Sequence, residues 1–229
     1  GSHEWFVPMG NYSDRCRVGI GNFSGSQFIA SDGTQGMFTI YDPPDIPLLT
    51  SGVEVTADYD PDYFRVQHNN SSWCVVAVRS FNSGSNWDVK CYTTNQFSSI
   101  LVESDATAGQ TTTDFIVIDG NHAASTTVRG VRFHTESGDD DGKVVYEGNN
   151  STATIGTQSV YFAVSDVAMM HDVHLTPGYY TFSLTSSGGS GDADMALFNS
   201  QGGDYYQSFE DAMAISNFVG INVDESFTV

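Results

Sequence analysis

The chain predicts an all-β protein of two tandem β-sandwiches, 4–113 and 114–229, and three observations predict it. Short runs alternate apolar with polar residues and are broken by turn clusters such as SFNSGSNWD (80–88) and TSSGGSGDAD (185–194), the pattern of half-buried strands between turns. Amphipathic helix is nearly absent, the best candidate being a weak one of about three turns at YYQSFEDAMAIS, 205–216. The second half of the chain also repeats the first.

The repeat is read block by block. EWFVPMGN (4–11) aligns with DFIVIDGN (114–121), and VGIGNF (18–23) with VRGVRF (128–133), both 110 residues apart. MFTIYD (37–42) then falls on KVVYEG (143–148), WCVVAVRS (73–80) on YYTFSLTS (179–186), and SNWDVKCY (85–92) on GDADMALF (191–198), each 106 apart. The five matched blocks keep one order, which places the division at 113/114.

Alternation assigns faces. Tyr180, Phe182 and Leu184 share one side of their strand, and Met195 and Leu197 one side of the next. Their counterparts Cys74, Val76 and Val78, with Val89 and Cys91, then face the core. Cys74 and Cys91 are expected either as a disulfide or as two buried thiols. Cys16 maps to Thr126 on a more polar segment.

Composition bounds the partners. Eight Lys and Arg against 28 Asp and Glu give a formal charge of −20, which repels nucleic acid and anionic membrane. Enough aromatic and β-branched residues are present to fold an acidic chain. No apolar stretch approaches the roughly 20 residues of a membrane span, so membrane insertion is not expected. The start GSHEW, without Met, reads either as a cleaved-tag scar or as the mature end left by a signal peptidase. N-x-S/T sequons at Asn11, Asn22, Asn69, Asn70, Asn149 and Asn150 accord with an extracellular or cell-surface address.

LTPGYYTFSL (175–184), its Gly/Ser turn and GDADMALF together resemble the bacterial pre-peptidase C-terminal domain family, with its L-x-x-G-x-Y strand, glycine-rich turn and D-x-D before an apolar strand. The first copy departs from that pattern: HNNSSWCVVAV (68–78) lacks Gly-x-Tyr, and NWDVKCY keeps only Asp88. The resemblance implies jelly-roll-like sandwiches of a secreted or surface-attached protein without catalysis of its own. Relatives accompany secreted peptidases, and a collagen-binding branch binds calcium and an extracellular polymer.

Candidate sites follow. Asp192 and Asp194 are either calcium ligands or a turn cap and a strand start; retention of one carboxylate in the other copy favours the turn. Asp139, Asp140 and Asp141 form a second acidic turn open to calcium. DYDPD (58–62) is not an EF-hand, because the loop glycine is missing and residue 69 is Asn. His171 and His174 fall on opposite strand faces, which disfavours zinc. There is no G-x-S-x-G, H-E-x-x-H, C-x-x-C or P-loop, and no catalytic residue is expected. Tyr205 and Tyr206, with Trp73 and Trp87, are candidate aromatic contacts for a polymer, or else packing residues.

ESFTV (225–229) repeats TDFIV (113–117) and HEWFV (3–7), so a third first strand closes the chain. The expected function is therefore a non-enzymatic extracellular structural or adhesive protein. Its partner is itself, in a surface fibre where Phe227 and Val229, or the strand from Trp5 to Val7, pair across subunits. The alternative is a polysaccharide- or protein-polymer-binding module, with calcium as its one candidate cofactor.

Overall fold

CVVAVRS, residues 74–80, is the axis of the fold: its first five side chains are all buried, which requires cover on both faces of its sheet. The computed structural model describes residues 13–16, 19–24, 27–33, 38–40, 46–57, 62–69, 72–81, 85–95, 97, 99–104, 113–119, 126–137, 142–148, 167–185, 192–199, 205–217, 220 and 223–229. The chain divides into two units, Gly1–Ile46 and Pro47–Val229. In the first, β1 (Ser13–Cys16) pairs antiparallel with β4 (Phe38–Ile40), and β2 (Gly19–Ser24) with β3 (Gln27–Gly33).

The second unit holds β5 (Val55–Ala57), β6 (Asp62–Asn69), β7 (Cys74–Ser80), β8 (Asn86–Tyr92), β9 (Ile100–Glu103), β10 (Thr113–Ile118), β11 (Thr126–Ser137) and β12 (Gly142–Gly148). β13 (Thr181–Leu184), β14 (Met195–Leu197), β15 (Tyr205–Tyr206), β16 (Ala214–Ser216) and β17 (Glu225–Thr228) follow. A five-stranded antiparallel sheet runs β15-β10-β7-β12-β5 and a four-stranded one runs β6-β11-β8-β9. The fold is all-β, as expected.

The two sheets enclose one core. Cys74, Val76, Val78, Ile116, Ile118, Val144 and Tyr146 enter it from the five-stranded sheet, and Phe64, Val66, Trp87, Val89, Cys91, Val131 and Phe133 from the other. The Tyr146 hydroxyl spans the core and donates to the Gln67 carbonyl of β6. At one side the chain itself joins the sheets: Leu48 bridges Arg65 of β6, and a few residues later Val55 pairs with Val144 of β12. The opposite face of β7 and β10, with Val75, Ala77, Phe115 and Val117, is covered by Val167, Met170, Phe198, Tyr206 and Phe209. The five-stranded sheet is thus the middle of three layers, which explains the unbroken apolar run of β7.

These pairings correct the expected domains 4–113 and 114–229. β7 lies before the 113/114 division, yet both of its neighbours, β10 and β12, lie after it. β11 likewise pairs with β6 and β8. Among the described residues one sandwich, drawn from both halves of the sequence, spans the expected boundary. A repeat fixes a spacing but not a phase, so the folded unit was free to begin mid-repeat.

One close approach limits the four-stranded sheet. The loop after β8 carries Phe97 at φ 54°, edge-on to Tyr63 and Tyr92. A Cβ on Gly130 of β11 would meet the Phe97 ring at 2.5 Å. Gly130→Ala should therefore destabilise the protein by about 1–3 kcal/mol through overpacking. In a double-mutant cycle read by urea unfolding, Phe97→Ala should absorb part of that loss, giving non-additive coupling; strict additivity would refute the contact.

Candidate functional site

The C-terminal strands reproduce part of the sandwich on a smaller scale. β13 pairs antiparallel with β17, as its sequence counterpart β7 pairs with β10. β14 pairs with β16, as its counterpart β8 pairs with β9. The register places Phe227 opposite Phe182 and Glu225 opposite Leu184, while Ile116 stands opposite Val76 and Asp114 opposite Val78. Glu225 therefore takes the place of Asp114, one residue away from the sequence alignment of 225–229 on 113–117. A one-residue slip exchanges the two faces of a strand, and here it turns Phe227 to the side of Phe182, ring centroids 5.4 Å apart.

The difference lies in burial. Cys74, Val76, Val78, Ile116 and Ile118 are wholly buried. Their C-terminal counterparts Tyr180, Phe182, Leu184, Phe227 and Val229 are only half-buried, and the reverse face presents exposed Thr181, Ser183, Ser226 and Thr228. Among the described residues β13 has one strand partner, β17. Tyr180 and Val229 exchange both backbone hydrogen bonds, at 2.9 and 3.0 Å. By the alternation of an antiparallel ladder, Thr181 and Ser183 then turn their N–H and C=O groups to the other edge of β13.

Phe227 and Val229, expected to pair across subunits, thus pair with β13 of their own chain. Trp5 and Val7 lie outside the described residues, as do Asp139, Asp140 and Asp141.

Asp192 and Asp194 both precede β14, and Asp192 Oδ2 accepts from the Gly220 amide at 3.2 Å. Glu225 is buried and accepts from the Ser216 hydroxyl, whose oxygen accepts from the Ser226 amide at 3.1 Å. Burial, followed by the charges of Asp192 and Glu225, holds the Asp194 carboxyl above its usual pKa. Among the described residues no group of three acidic, histidine or cysteine side chains is placed to hold a metal.

Cys74 and Cys91 reach the core from opposite sheets as free thiols, which corrects the disulfide reading. Facing inward brings two cysteines to one core, but a disulfide also needs Cα atoms within about 7 Å and converging Cβ vectors. The Cys91 thiol instead donates to the Tyr92 carbonyl at 3.7 Å. Burial pushes Cys91 up from 9.0 to about 12, and raises Cys74 well above its ordinary value.

The aromatic pair divides. Tyr205 is exposed, whereas the Tyr206 ring is stacked between Trp73, at 5.6 Å, and Phe198, at 4.9 Å. Tyr206 is therefore a packing residue of the outer layer, and Trp87 is buried in the core. The sequence reading missed Tyr179, which is 95% exposed; its place one residue from the inward-facing Tyr180 was the available signal. No protein-family model and no curated protein sequence matches the chain. The pre-peptidase likeness thus rests on residues 175–198 alone.

Two outcomes are expected. Thiol reagents at neutral pH should leave Cys74 and Cys91 unmodified until denaturant is added, and both should then react without a reductant. Because the native state keeps the Cys91 proton that the unfolded chain loses, stability should fall as pH rises from about 9 towards 12, and Cys91→Val should flatten that fall in urea midpoints. For Asp194, whose native carboxyl binds its proton more readily than the unfolded one, the contribution to stability should decline as pH rises through the window just above 3.8. The wild-type minus Asp194→Asn difference in thermal midpoint should trace that window.

Proposed function

We propose that the chain is a non-enzymatic extracellular structural or adhesive protein that assembles with copies of itself at the cell surface. The observation that carries this reading is the C-terminal pair β13-β17, with its half-buried apolar face and a strand edge to which Thr181 and Ser183 direct backbone groups. An isolated two-stranded ribbon is marginal in water, and a third strand or an opposing layer is what stabilises one. An edge of this kind is a template for strand addition. The implied jelly-roll likeness of residues 175–198 supports the same address and the absence of catalysis.

A second reading, a polymer-binding module, is supported by the exposed rings of Tyr179 and Tyr205, which can stack on sugars or pack on a protein fibre. Calcium, in that reading, belongs to the acidic turns, Asp192 and Asp194 among them.

Sedimentation and negative-stain microscopy test the two. Because each copy carries a formal charge of −20, self-association should strengthen as salt screens the repulsion, with regular assemblies growing in concentration and length. Monodisperse protein retained by a polysaccharide or collagen matrix, with retention lost in Tyr179→Ala, would favour the second reading. Hydrolysis of a broad substrate panel would overturn both.

A further inference from the structure

Resting on the self-assembly reading, we infer that the C-terminal strand pairs are completed by β2 and β4 of a second copy, so that each junction rebuilds the sandwich seen within one chain. In the central sandwich β7 is flanked by β10 and β12, and β8 by β9 and β11. The C-terminal segment supplies the counterparts of β7, β8, β9 and β10 as β13, β14, β16 and β17. Among the described residues it lacks counterparts of β11 and β12. Those counterparts are written at the other end of the sequence: 18–23 repeats 128–133 within β11, and 37–42 repeats 143–148 within β12.

The register specifies the join. β7 meets β12 with Val76 opposite Tyr146, Ala77 opposite Val145 and Val78 opposite Val144. Carried by the 106-residue offset that both strands share, Phe182 falls opposite Ile40, Ser183 opposite Thr39 and Leu184 opposite Phe38. The apolar residues of β13 thus meet apolar residues, and the polar one meets a polar one. A one-residue slip would set Ser183 against Ile40 and break the match. In the same way β8 meets β11 with Val89 opposite Phe133, which carries to Met195 opposite Phe23. The edge that β13 offers is the one to which Thr181 and Ser183 turn their backbone groups, as strand addition requires.

Two substitutions in the full chain test this. Ser183→Pro removes an amide from that edge without removing a bond to β17. It should abolish assembly seen by sedimentation while the main thermal transition stays within a few degrees of wild type. Separately, Ser183→Cys and Thr39→Cys copies, each in a Cys16→Ser background, are mixed under assembly conditions and treated with a short bismaleimide. A cross-linked dimer formed in the mixture, and in neither copy alone, is the expected result. Assembly that persists in Ser183→Pro, or that yields no 183–39 cross-link, would overturn this junction while leaving self-assembly standing. A double-cysteine chain that links only within itself would show that the N-terminal strands close the sheet of their own chain, and would overturn the second copy as occupant. Protein that stays monomeric at every salt and concentration would overturn the junction and the self-assembly reading together.

Discussion

The structure depends on one constraint: β7 is paired on both edges and buried on both faces. A strand in that position leaves no backbone group for water and no face for polar residues, so everything around it is dictated. Its edges are met by β10 and β12, its inner face by the four-stranded sheet, and its outer face by Val167, Met170, Phe198, Tyr206 and Phe209. None of these neighbours except the four-stranded sheet's early strands precedes residue 113. The core therefore closes only after some seventy residues beyond β7 are in place, from Cys74 to Gly148. Such non-local closure is the costly kind in loop entropy and is slow to nucleate.

What was legible in the sequence is what a strand states locally. Alternation placed Cys74, Val76, Val78, Val89 and Cys91 on inward faces, and all five are buried in the shared core. The turn clusters separated the strands, and the near absence of helical periodicity left an all-β chain, with only a short 3₁₀ turn at Phe209–Asp211 inside the weak helical candidate. What was not legible is non-local. The partner of Asp192 lies 28 residues away at Gly220, too far for any turn motif to announce. The choice between thiols and a disulfide depends on distances across two sheets. Tyr206 and Tyr205 are neighbours with opposite roles, and alternation could say that they differ but not which of them found the Trp73 ring.

The largest discrepancy, the position of the domain boundary, has the same origin. A periodic sequence can be cut anywhere without changing its period, and only pairing reveals the cut that folding uses. Here the sandwich begins near Pro47 and takes β5 to β9 from one repeat and β10 to β12 from the next. The repeat itself survives this shift, because β13-β17 and β14-β16 recur as the counterparts of β7-β10 and β8-β9. The outer face of β13-β17, with Thr181, Ser183, Ser226 and Thr228, is polar where that of β7 is apolar, which fits a strand pair that no third layer covers among the described residues.

That difference in face chemistry also bears on how an exposed edge is tolerated. A flat, apolar edge invites pairing with any strand, whereas β13 alternates half-buried Phe182 and Leu184 with exposed Thr181 and Ser183. Only a strand that alternates in the same phase can satisfy both faces at once, so the register of an incoming strand is fixed by the same period-two rule that fixes strands inside the sandwich. The acidic surface acts beside it. With 28 carboxylates against eight basic side chains, two copies repel at long range, so the proposed self-assembly requires matched strands that bury apolar surface at short range. On that proposal specificity comes from the strand and restraint from the charge, two properties that a chain reusing one sandwich repeat can encode separately.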